Sequence, residues 1–119
     1  PAGADKTLPI INLSIIAGGN WEVYGLLLAI YEARLNYFDK AASSMSNAER
    51  ALFIVDLAAA QAALTFMKAL LSGSADDYAY ALTALAAAEE AIVAHSNFLC
   101  SISLLQLQEL LNHLNQLKS

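Results

Sequence analysis

Polar and apolar positions along most of the chain recur with the 3.6-residue period of amphipathic helices. From Trp21 to Met45 the polar residues Glu32, Asn36, Asp39 and Ser43 share one side, and Val23, Leu27, Ile30, Tyr37 and Ala41 lie opposite. Asn47 to Leu71 repeats the pattern, with Arg50, Gln61, Thr65 and Lys68 on the wet side and Leu52, Ala59, Ala63 and Leu70 on the dry side. A third segment starts at Ala75, its wet residues being Thr83, Glu90 and Asn97. The last is the most sharply divided: Leu104, Leu107, Leu110, Leu111, Leu114 and Leu117 form one face, and Gln108, Asn112, His113, Asn115 and Gln116 lie outside it.

Helix punctuation separates these segments. Gly18-Gly19-Asn20 caps the helix from Trp21, and Ser46-Asn47-Ala48-Glu49 is a capping box in which serine and glutamate satisfy each other's amides. Ser72-Gly73-Ser74 closes the second long helix, and Ser74, Asp76 and Asp77 open the third at the favourable end of its dipole. Ser103-Leu104-Leu105-Gln106 reads as another capping box, opening a short helix to Leu117. An unbroken helix from Ala75 to Leu117 would be about 64 Å long, too long for a domain of this size. A turn between Ser96 and Ser103 is therefore expected. Residues 8–17 are ambiguous: Thr7-Leu8-Pro9 suits a helix start, but Ile11, Leu13 and Ile15 alternate as in a strand. A short helix is preferred, because a lone strand would have to pair with another copy of the chain. The expected fold is all-α, one domain over residues 1–119, an antiparallel four-helix bundle of three long helices closed by a short first and a short last helix.

At 119 residues the chain can bury a single core. It is 58% apolar and only 14% charged, oilier than an ordinary soluble domain, and alanine supplies much of the excess. The net charge of −5, with six scattered Lys and Arg, argues against a nucleic-acid partner. The longest charge-free stretch, Ala91 to Gln108, contains His95, Asn97 and several serines, so no membrane span is expected. No charged-then-apolar leader opens the chain; Pro1-Ala2-Gly3-Ala4 has the look of a processed or recombinant terminus, and a cytoplasmic or recombinant soluble protein is expected. Cys100, the lone cysteine, excludes an internal disulfide and is expected to be a small buried residue.

Charges on dry faces are the candidates for chemistry. Arg34 sits at the centre of the dry face of its helix, and Asp56 sits diametrically opposite the wet side of the next. Counted from the Ser43–Ser46 turn they reach nearly the same height. An unpaired buried charge is costly, so the two are expected to meet. Glu89, at a similar height on the third long helix, could join them; a guanidinium between two carboxylates can offer hydrogen bonds to a ligand. Alternatively the pair simply fixes helix register. Ala59, Ala60 and Ala63 face Ala81, Ala84 and Ala88. They are either tightly packed or leave a cavity flanked by Leu27, Tyr31, Leu64 and Leu85, the form of a ligand pocket in a bundle. The stripe Trp21, Tyr24, Leu28, Tyr31, Leu35, Phe38 keeps three-four spacing and reads as a seam.

His95 lies on a dry face. A satisfied buried histidine is the plain reading, and a haem or porphyrin ligand is the alternative. No Glu-x-x-His pair marks a di-iron site, no metal-spacing motif is present, and no catalytic constellation is recognisable. Ala94-His95-Ser96 resembles the modified segment of histidine phosphotransfer domains, but Phe98, Leu99 and Cys100 replace that family's lysine and glycine, so it is set aside.

The regular helix lengths, short Gly/Ser turns and Gly73-Ser74-Ala75-Asp76-Asp77 start resemble designed single-chain four-helix bundles that hold drug-like ligands or porphyrins. The sparse surface charge departs from that pattern. The resemblance implies a non-enzymatic binder of a largely apolar or aromatic small molecule, oriented by Arg34, Asp56 and Glu89 and enclosed by Leu27, Tyr31, Ala59, Ala63, Ala84, Ala88 and His95, with no cofactor expected. Two other expectations stand beside it: a self-associating structural subunit, hence a homo-oligomer, and an enzyme using a desolvated Asp56 as general base.

Overall fold

Asn20 starts the described fold by accepting a hydrogen bond from the Val23 amide at 2.9 Å, the N-cap that releases the chain into its first helix. The computed structural model describes residues 19–118, and the ambiguous segment at residues 8–17, with the expected short first helix, lies outside them. Within the described residues there are four α-helices and no strand: α1 Trp21–Ala41, α2 Asn47–Ser72, α3 Ala75–His95 and α4 Ser101–Gln116.

α1 ends four residues earlier than expected. Its last turn tightens into a 3-10 turn, Ala42–Ser44, and the carbonyls left over there meet the guanidinium of Arg50. Arg50 Nη1 donates to Ala42 O at 3.0 Å and Met45 O at 2.7 Å, and Nη2 donates to Asn47 Oδ1. A residue expected to be merely wet is thus a clasp on the α1–α2 corner, using the planar fork that lysine lacks. The capping box then starts α2: Ser46 N–H donates to Glu49 Oε1 at 2.9 Å and Glu49 N–H to Ser46 Oγ at 3.1 Å. Gly73 ends α2 at φ 67°, left-handed backbone that a side chain would strain.

α2 is the axle of the fold. At 1.5 Å per residue its 26 residues run about 39 Å, against a longest molecular dimension of 40 Å. Half of its residues are buried, among them Val55, Phe66 and Met67. By length and composition it could cross a membrane, yet most of that stretch is covered by the protein's own helices. α3 lies closest along it. The alanines Ala59, Ala62 and Ala63 of α2 and Ala81, Ala84 and Ala88 of α3 belong to one buried cluster with Leu85. Small side chains let two backbones approach. α4 adds Leu107, Leu110, Leu111 and Leu114 to the same core, as its leucine stripe predicts. Its start does not follow the predicted capping box: Cys100 is the N-cap, without a side-chain cap bond, and the helix opens at Ser101. Cys100 is exposed there, donating its thiol proton to Ser103 Oγ at 3.2 Å. The predicted turn between Ser96 and Ser103 is present as a 3-10 turn, Ser96–Phe98, followed by extended Leu99 and Cys100.

α1 is held differently. It packs principally on α2, and only Leu27 is fully buried. The residues turned to α2 are Tyr24, Leu27, Tyr31, Arg34 and Phe38, a three-four alternation. Phe38 stacks on Phe53, ring centroids 5.7 Å apart, above a small second cluster of Met45, Phe53 and Leu57. Ile30 and Tyr37, expected on the dry face, are about 40% exposed. Ile30 lies with Leu26 and Ala33 on a line one sector round the helix, whereas the Tyr37 ring packs against Phe53 of α2 with centroids 5.8 Å apart.

Candidate functional site

The expected ion pair exists. Arg34 Nη1 donates to Asp56 Oδ2 at 2.6 Å across the α1–α2 seam. The two ends differ in environment: the Asp56 side chain is 2% exposed and the Arg34 side chain 30%. Burial pushes the Asp56 carboxyl up to about 7, outweighing the nearby positive charge and hydrogen bond of Arg34, both of which pull it down. Such a value suits a general base. The carboxylate is nevertheless buried and bonded to arginine, so a substrate would have to displace that bond to reach it.

Glu89 does not join the pair. Its height on α3 matches the expectation, but its direction does not: Ala88 points into the core, and one residue on, about 100° round the helix, Glu89 is exposed and faces α4. There it accepts a hydrogen bond from Asn115 Nδ2 at 2.9 Å. Ala59, Ala63 and Ala88 are fully buried and Ala84 nearly so, within the cluster that α2 and α3 share, and none of them lines the cleft described below. Leu27 is part of that same core. His95 is half-buried at the C-terminal end of α3. Among the described residues, no group of three or more His, Cys, Asp or Glu side chains gathers to hold a metal.

A cleft of about 290 Å³ opens elsewhere, where α1, α2 and the start of α3 converge. α1 contributes Tyr24, Leu28 and Tyr31; α2 contributes Gln61, Leu64, Thr65 and Lys68; α3 contributes Asp77 and Tyr80. The spacings are i, i+4, i+7 on α1, i, i+3, i+4, i+7 on α2 and i, i+3 on α3, so each helix lends one narrow face. Leu64, 3% exposed, is the floor, and three tyrosine rings form the walls. Tyr31 Oη donates to Gln61 Oε1 at 3.4 Å, and burial raises the pKa of its phenol. Lys68 Nζ lies 3.9 Å from Asp77 Oδ1, while Asp77 Oδ2 accepts from Ser72 Oγ at 2.6 Å. Ser74, the N-cap of α3, accepts from the Asp77 amide and sets that carboxylate at the helix's positive end.

Of the residues that the sequence places around a ligand, Tyr31 and Leu64 line this cleft, and neither Arg34 nor Asp56 does. Tyr80, at the near end of α3, is fifteen residues from His95, about 22 Å along the helix. The cleft residues missed were those read as plain wet face on α2: Gln61, Thr65 and Lys68. Their alignment with Tyr24, Leu28 and Tyr31, counted back from the α1–α2 turn, is the signal that could have found them. Comparison of the chain with family models, with curated proteins and with solved structures finds no match.

Proposed function

We propose that this chain is a non-enzymatic, antiparallel four-helix bundle that binds a small, largely aromatic molecule in the cleft between α1, α2 and α3. The antiparallel reading is supported by the order of contacts. Tyr31 meets Gln61, Arg34 meets Asp56 and Phe38 meets Phe53, so residue numbers rise on one helix as they fall on the other. Lys68 with Asp77, and Asn115 with Glu89, continue the alternation. The observation that carries the binding function is the cleft itself, with an apolar floor at Leu64 and rings from Tyr24, Tyr31 and Tyr80. Apolar walls with a few placed polar groups are the usual form of a ligand site between helices. The clean caps and short turns, which resemble those of designed ligand-holding bundles, agree with this reading.

A thermal-shift titration with small neutral aromatics tests it. Binding to the folded state alone stabilises by about 2.7 kcal/mol at a hundredfold excess over Kd. Gln61→Trp, at an exposed position on the cleft rim, should fill the space and abolish the shift while leaving the unliganded melting point nearly unchanged. A shift that survives in Gln61→Trp would place binding elsewhere and end the proposal.

A second reading has its own observation. Leu26 is 63% exposed, and with Ile30 and Ala33 it makes a short apolar line along the outer side of α1. A second copy of the chain could cover that line in a self-associating subunit. Sedimentation velocity over a wide concentration range decides it: a species of 12.7 kDa throughout removes the reading.

A further inference from the structure

The donors and acceptors around the cleft are unbalanced. Gln61 Oε1 takes the Tyr31 hydroxyl and Asp77 Oδ2 takes the Ser72 hydroxyl, while Asp77 Oδ1 faces the Lys68 ammonium at 3.9 Å. Thr65 spends its proton on the carbonyls of Gln61 and Ala62, at 2.9 and 2.8 Å. Among the described residues, two cleft groups that can only donate have no hydrogen-bond partner: the Lys68 ammonium, 3.9 Å from its nearest carboxylate oxygen, and the amide nitrogen of Gln61. The hydroxyls of Tyr24 and Tyr80 can serve as further donors. A ligand that brings a charged acceptor to Lys68 uses all of them. An ionised carboxylate is such a group.

Size narrows the class. A volume of about 290 Å³ lies at the lower edge of small-molecule sites, room for one or two fused rings between the tyrosines. The chain's net charge of −5 opposes an anion at long range. That repulsion is screened over about 10 Å at 0.1 M salt, whereas Lys68 acts at contact. We infer that the cleft selects a small aromatic carboxylate, its rings between Tyr24, Tyr31 and Tyr80 and its carboxylate on the Lys68 ammonium. This rests on the cleft being a binding site at all.

Three probes of one shape separate the two claims: 2-naphthoate, 2-naphthalenemethanol and 2-naphthylmethylammonium, each titrated calorimetrically into the full chain at 0.1 M salt. Lys68 is half exposed, so its contribution is discounted from a buried charged bond, and naphthoate should bind about three- to tenfold tighter than the alcohol. Lys68→Met should bring the naphthoate-to-alcohol affinity ratio to about one; Lys68→Arg should keep the preference. Equal or tighter binding of the alcohol or the ammonium, or a preference that survives Lys68→Met, overturns the carboxylate inference while leaving the cleft in place. No binding of any probe overturns both.

Discussion

Removing the Arg34 guanidinium should cost stability in a way that depends on pH. Arg34→Met keeps most of the side chain's apolar stem and deletes the 2.6 Å bond to Asp56. Breaking one side of a buried ion pair typically costs about 3–5 kcal/mol, and because the Arg34 side chain is 30% exposed we take about 2–3 kcal/mol. That cost applies only while Asp56 is ionised. Its folded-state value of about 7 is raised above the ordinary carboxylate value, so its contribution to stability is full below the unfolded value, near 4, and is lost as pH rises through 7. Without arginine the folded value rises further, and the loss continues to higher pH. The mutant and wild type should therefore be close at pH 6, where both carry a mostly protonated Asp56, and diverge by about 2–3 kcal/mol at pH 9. Urea unfolding followed by circular dichroism at the two pH values measures this, with Asp56→Asn as a control whose own Arg34→Met penalty should not change with pH. A penalty of equal size at both pH values, or the same pH dependence in the Asp56→Asn background, refutes the argument.

Other substitutions test the packing. Ala63→Leu or Ala84→Leu should overpack the α2–α3 contact and cost about 1–3 kcal/mol in chemical denaturation, because both methyl groups are buried in the cluster those helices share. A stabilised variant would show that a hidden cavity exists after all. Gly73→Ala should cost about 1–2 kcal/mol from its left-handed backbone alone, since an added Cβ there meets nothing within 4 Å; a neutral melting curve would contradict the αL cap. Arg50→Met should lose about 1 kcal/mol at the α1–α2 corner, and Arg50→Lys should not restore it, because one ammonium cannot reproduce the fork.

The helices were legible because caps and periodicity are local. Asn20, the Ser46–Glu49 box and Gly73 each do in the fold what their residue types dictate within a few positions of chain. The Arg34–Asp56 contact was also legible, since a buried charge demands a partner and the turn length sets its height. What failed was azimuth. Glu89 has the right height and the wrong direction by about one residue's rotation, a quantity that depends on where α4 docks. The alanines failed for a related reason: methyl groups that could border a void or close it look the same in sequence, and only the approach of α2 to α3 decides. The cleft was missed because Lys68, Thr65 and Gln61 are polar and were assigned to water, whereas a ligand site needs polar groups at its rim. Ile30 shows the converse error, an apolar residue assigned to the dry face that is 41% exposed in the fold.

The single fully buried residue of α1 has a consequence for how the molecule opens. Parts of a protein with few buried contacts detach at a lower free energy than the whole unfolds, and the Arg50 clasp at one end gives α1 a natural pivot. Backbone amides of α1 should then exchange with deuterated water well before those in the middle of α2, which open only with global unfolding. Tyr24, Leu28 and Tyr31 ride on this helix, so each such excursion would take one wall off the cleft. A molecule held between that wall and Leu64 would slow α1 exchange first. Affinity for it would then be set in part by the free energy of keeping α1 closed.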